Sequence, residues 1–163
     1  MRAEIPGIRY ESPRQARMAF PEIVGQAAIS ELTARRRPMR RYDPLKAPDP
    51  DEWLALDEQE RIELARDYHR REGVRLPNAT MHATVHAIVE NQIALADETP
   101  VRRITQRLMD EGLDRHEAIH AIGLVLIEFI HDLMSKPESG IDPKVPYFAA
   151  LERLTAQDWQ RSR

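Results

Sequence analysis

The 163-residue chain contains no cysteine. That excludes disulfides, thiolate zinc sites and cysteine nucleophiles, so any metal would have to be held by imidazole, carboxylate or water. Long apolar runs are missing too. The longest, AIGLVLIEFI, falls short of the roughly 20 residues a spanning helix needs, and MRAEIPGIRY at the start has no stretch suited to a signal peptide. The expectation is a soluble, cytoplasmic protein without membrane association. Also absent are the apolar and polar alternation of half-buried strands, a Gly-rich phosphate loop, a serine nucleophile elbow and a dinucleotide fingerprint.

Charge is unevenly spread. The net charge of −3 combines plus 5 over residues 1–46 with minus 8 over the rest. Clustered arginines neutralise phosphates, so RRRPMRRY, which runs from Arg35 through Arg41 to Tyr42, could meet nucleic acid. A solvated linker explains it equally well, the remainder is acidic, and no nucleic-acid-binding motif is present, so nucleic acid is not the expected partner.

Caps and prolines divide the chain into helices. Asp49, Pro50 and Glu52 supply an N-cap, an N1 proline and an N3 carboxylate for a helix expected to run through to Gly73. Asn78 can cap a second helix carrying MHATVHAIVENQIAL, and Thr99-Pro100 open a third that ends near Gly112. Asp114 begins a fourth, DRHEAIHAIGLVLIEFIHDLM, apolar nearly all round in its middle and therefore expected at the centre. The segment YFAALERLTAQDW reads as one C-terminal helix docking through Phe148, Leu151 and Leu154. Ser12 and Pro13 hint at an early helix interrupted at Pro21. The fold class is all-α: an up-down bundle of about four core helices over residues 48–136, with a partly helical N-terminal arm over 1–47 and a loop and docking helix over 137–163.

Two phrases stand out against this background: His82, His86, Ala87, Ile88 and His116, His120, Ala121, Ile122. Residues four apart on a helix lie about 40 degrees apart around the axis and about 6 Å along it, so both imidazoles of each pair face one way. Short connections make consecutive helices antiparallel, which leaves the second and fourth pointing alike. His82 stands four residues past its cap and His116 two past its own, so the pairs share one end of the bundle, where the first helix also delivers His69. His131 lies too far along its helix to join them.

Neutral imidazoles on two helices suit zinc, iron, nickel or copper, with zinc and iron foremost. Two helix N-termini oppose a cation there, a field that Glu117, Asp110 or Glu111 could offset. The same field suggests an alternative, an anion pocket holding phosphate or carboxylate. Glu90 continues the stripe of His82 and His86 and could support a ligand, or be an exposed carboxylate. Residues 116–120 also spell H-E-x-x-H, in which Glu117 would activate water as the catalytic base. Without a strand to align a peptide, and with Asp114 three residues before it, Glu117 reads first as the N3 member of a capping box, which needs no catalytic role to explain it.

Tyr68-His69, His82-x-x-x-His86 followed by Glu90-Asn91-Gln92, and Leu113-Asp114-Arg115-His116-Glu117-x-x-His120 together resemble a bacterial family of small helical proteins classed as a domain of unknown function. The likeness covers roughly residues 49–136 and implies an all-α bundle with the histidines as a group. The family's histidine-proline before Tyr68-His69 is replaced by Arg66-Asp67. The leading expectation is a transition-metal site formed by His82, His86, His116 and His120 with His69 and Glu117 nearby. The competing one is a non-enzymatic interaction module, forming a homodimer or binding a protein through apolar helix faces.

Overall fold

A computed structural model describes residues 39–135 and 142–162. The helix expected around Ser12 to Pro21, and with it the arm as far as residue 38, lies outside the described residues. Among those described there are seven α-helices and no strand: α1 (Pro50–Ala55), α2 (Glu58–Arg71), α3 (Ala79–Ala94), α4 (Val101–Asp110), α5 (Arg115–Ser135), α6 (Lys144–Arg153) and α7 (Ala156–Ser162). The all-α class holds.

The helix expected from Pro50 to Gly73 is two. Asp49 caps α1 as anticipated, its carboxylate accepting from the Glu52 amide at 3.0 Å. At Leu56, however, the backbone becomes extended. Asp57 accepts from the Glu60 amide at 2.8 Å and Glu60 returns a bond to the Asp57 amide at 2.9 Å. This capping box starts a new helix by satisfying two orphan amides at once. The Arg61 guanidinium covers the open end of α1, donating to the carbonyls of Trp53, Leu54 and Leu56.

The C-terminal helix splits for the same reason. Thr155 and Asp158 exchange bonds between side chain and amide at 3.2 and 3.1 Å, which begins α7 two residues after α6 ends. Arg107 closes the end of α6 through the carbonyls of Leu151, Glu152 and Leu154. Leu151 is buried, and Phe148, Leu154 and Trp159 pack against the same core.

α3 divides the interior. Val85 and Val89 join Ile104 and Leu108 of α4, Ile119 and Ile122 of α5, and Leu151 of α6 in one apolar cluster. Ala83, Ala87 and Ala94 join Tyr42, Trp53, Ile62 and Ala65 in a second. α5 is central only as far as Leu126; beyond it Ile127, Ile130, Leu133 and Met134 are exposed. By length and composition this 21-residue helix could cross a bilayer, yet its first half packs against α3 and α4.

Two backbone details position the site. Gly73, at φ +69°, ends α2 with the Val74 amide bonded to the His69 carbonyl at 3.1 Å and the Gly73 amide to Arg70 at 3.2 Å, which fixes the last turn where His69 stands. On α5, a Cβ added at Gly123 would meet Val85 Cγ1 at 2.6 Å, so α5 approaches α3 one turn from His120 only because that residue lacks a side chain. Val85 is stiff about χ1 and cannot swing away cheaply. Gly123→Val is expected to lower stability by about 1–3 kcal/mol, read as a lower midpoint in urea unfolding. An unchanged midpoint would show that the contact is not tight.

Candidate metal centre

Five histidines converge: His69 from the last turn of α2, His82 and His86 from the first half of α3, and His116 and His120 from the start of α5. Each turns one ring nitrogen inward, and the five atoms lie within 4.8 Å of one another. Local capping explains their placement. Asn78 accepts from the Met81 amide at 3.0 Å, setting His82 one turn into α3. Asp114 accepts from the Glu117 amide at 2.8 Å, setting His116 in the first turn of α5.

The inward atoms are the Nε2 nitrogens. Separations are 3.0 Å for His69 to His82, 3.2 Å for His69 to His116, 3.2 Å for His82 to His120 and 2.9 Å for His86 to His120. Two outer nitrogens reveal the tautomers. His69 Nδ1 is 2.9 Å from the Ala65 carbonyl oxygen, which can only accept, so Nδ1 carries the proton and Nε2 directs a lone pair inward. His86 Nδ1 lies 3.4 Å from the Tyr42 hydroxyl, whose own proton goes to Glu90 Oε1 at 2.7 Å. Tyr42 therefore accepts from His86, and that Nε2 also presents a lone pair to the centre.

Glu90 is neither an exposed carboxylate nor a member of the converging set. It is fully buried, held by Arg115 through Nη1–Oε1 and Nη2–Oε2 contacts of 2.7 Å each. Arg115 also donates to the Pro44 carbonyl at 2.8 Å. A line of contacts thus runs Arg115, Glu90, Tyr42, His86, the kind of outer support that orients a ligating imidazole and sets its tautomer. Burial, then the Glu90 charge, raises the Tyr42 phenol well above its usual range, so it stays a proton donor.

Sequence reasoning missed Tyr42 and Arg115. Glu117 follows its capping reading, its carboxylate accepting from the Asp114 amide at 3.2 Å, and its oxygens are not among the converging atoms. Asp110 and Glu111 are engaged elsewhere: Asp110 accepts from Gln106, and Glu111 accepts from the Ala156 amide at 2.7 Å. His131 is exposed, as its spacing implied.

Four of the rings are held neutral at pH 7. Burial, followed by the neighbouring imidazoles His69 and His116, lowers His82 to about 4. His116 is lowered to about 4 by burial and then by His69, against the opposing charges of Asp114, Asp43 and Glu117. Burial and then its four imidazole neighbours hold His86 well below its ordinary range, and burial also lowers His69. Because these folded values lie below the unfolded one near 6.5, the unfolded chain binds more protons in between, and stability rises with pH. Metal-free protein is expected to hold full stability above about pH 6.5 and to lose it as pH falls toward 4, read as a falling melting temperature. The double variant His82→Ala/His116→Ala should flatten the profile.

The group of five ring nitrogens could hold a metal ion. Comparison with known proteins brings no match: no family model, no curated protein and no solved structure is similar to this chain.

Proposed function

We propose that this chain binds one first-row transition-metal ion through His69, His82, His86, His116 and His120. The observation that carries the reading is the five inward nitrogens within 4.8 Å of each other, drawn from three helices. At metal–nitrogen bonds of about 2.0–2.1 Å, neighbouring ligands stand about 3.0 Å apart at right angles and about 3.4 Å apart in a tetrahedron. Separations of 2.9 and 3.0 Å match the first, and the two of 3.2 Å lie midway. Imidazole suits zinc and iron alike, but a fifth ring exceeds the tetrahedral set of structural zinc and favours iron in five- or six-fold coordination.

An anion pocket would need protonated rings, and burial disfavours that charge at His82, His86 and His116. A peptidase would need Glu117 as base, and that carboxylate serves the α5 cap. The site supports metal binding, with Lewis-acid or redox chemistry following from the ion chosen.

Metal analysis of the untagged chain, purified without chelator, tests the reading. About one equivalent of iron or zinc per chain is expected, removed by a chelator and restored by adding the ion back. A chain that holds no ion even after incubation with iron(II), zinc(II), nickel(II) and copper(II) would refute it.

A second reading, docking of a second copy, is favoured by the exposed Ile130, Leu133 and Met134 at the end of α5. Sedimentation of the full chain should then show a dimer that Ile130→Glu converts to monomer.

A further inference from the structure

Beside the histidines lies a pocket of about 340 Å³. Its walls are Leu76, Val85, Leu124, Ile127 and Trp159, and its floor is formed by the rings of His82, His86 and His120. Among the described residues, no aspartate, glutamate, lysine or arginine lines it. Of the other polar groups in the lining, Asn78 has its oxygen engaged in capping α3, and the Trp159 indole adds an N–H, which donates and offers no lone pair. On the opposite side, Tyr68 stands edge-on against His69 and His116, with ring centroids 5.1 and 5.4 Å away, and His86 is backed by Tyr42. The cluster therefore has an aromatic backing and an apolar antechamber.

We propose that this antechamber binds a small molecule with an uncharged apolar body and one lone-pair donor, the donor directed at the ion held by the five histidines. The inference rests on the metal reading above and adds the class of ligand. Volume argues for a small molecule, since the pocket sits at the lower end of the roughly 300–1,000 Å³ range of such sites. Wall chemistry argues for an uncharged body, because an ionised group set against the walls, away from the ion, would lose hydration without meeting a counter-charge. The floor argues for the donor. Apart from Asn78 and the Trp159 indole, the histidine rings are the polar groups lining the pocket, and their Nε2 atoms are turned to the common centre, so a lone-pair donor gains specific contact through the ion. Five imidazoles on a six-coordinate ion leave one position for it.

The test uses the full chain loaded with cobalt(II), whose visible spectrum reports its ligands, and two probes at pH 8. 4-Phenylimidazole carries donor and apolar body; imidazole carries the donor alone. 4-Phenylimidazole is expected to shift the cobalt bands at a concentration about 10- to 100-fold lower than imidazole does, the gain from burying the phenyl ring. Ile127→Glu and Leu124→Asp, both at partly exposed positions, should retain cobalt and lose that advantage. Equal potency of the two probes, or a spectrum unmoved by either while one equivalent of cobalt stays bound, overturns the proposal and leaves the metal reading standing. A chain that takes up neither cobalt(II) nor any of the four ions named above overturns the metal reading and the directed donor together. In that event quenching of Trp159 fluorescence by 4-phenylimidazole, absent in Ile127→Glu, would retain the apolar pocket alone.

Discussion

Arg115→Ala is expected to cost about 3–5 kcal/mol of folding stability, the largest single effect outside the apolar core. The substitution leaves the Glu90 carboxylate, which has no exposed surface, with a single donor, the Tyr42 hydroxyl. It also strips a partner from the Pro44 carbonyl. Domains of this size are stable by about 5–15 kcal/mol, so the variant would lie near unfolding at physiological temperature. Arg115→Lys should recover little, because an ammonium cannot reproduce two parallel bonds to one carboxylate. Arg115→Met combined with Glu90→Leu should recover much of the loss, since removing both charges leaves none buried without a partner. Urea unfolding of the three variants beside the unaltered chain reads these differences. A loss under about 1 kcal/mol for Arg115→Ala would mean that water reaches Glu90.

The contrast between this pair and the histidines shows what a sequence exposes. Spacing of four on a helix survives any packing, so His82 with His86 and His116 with His120 declared themselves as pairs, and short connections brought His69 to the same end. Asn78 and Asp114 marked helix starts because each precedes an apolar periodic run. The capping boxes at Asp57 to Glu60 and Thr155 to Asp158 were legible in principle. They were passed over because the apolar pattern continues across both breaks, and only the reciprocal side-chain bonds favour the interruption.

Other partnerships had no sequence signal. Tyr42 sits 44 residues before His86 in a segment without periodicity, and nothing local marks it as buried. Arg115 looked like one charge among several at a helix start. Its side chain meets Glu90 through the registry of α5 on α3, which depends on the close approach at Gly123 and on packing that no single-helix pattern encodes. Glu90 lies on the expected stripe and supports a histidine as one of its two readings has it; the exposed carboxylate is the reading that fails. A carboxylate about 6 Å beyond His86 on the same helix reaches the centre through an intermediary, and the intermediary came from elsewhere in the chain.

Tyr42→Phe separates the orienting role of that intermediary from its packing. The phenyl ring keeps the contact with Trp53, whose centroid lies 5.4 Å away, and Glu90 keeps both bonds from Arg115. What disappears is the oxygen that accepts from His86 Nδ1, so the imidazole is free to move its proton to Nε2 and present a donor where a lone pair is needed. Metal affinity is expected to fall about 10- to 100-fold, the usual consequence of losing an outer partner of a ligating histidine. His86→Ala, which removes the ligand itself, should lose more, and the two substitutions together should be no worse than His86→Ala alone. Competition with a chelator of known affinity measures all three. Additive losses in the double variant would place Tyr42 outside the path to His86 and assign its effect to the fold, whereas a non-additive result ties the carboxylate at Glu90 to the ion through two hydrogen bonds.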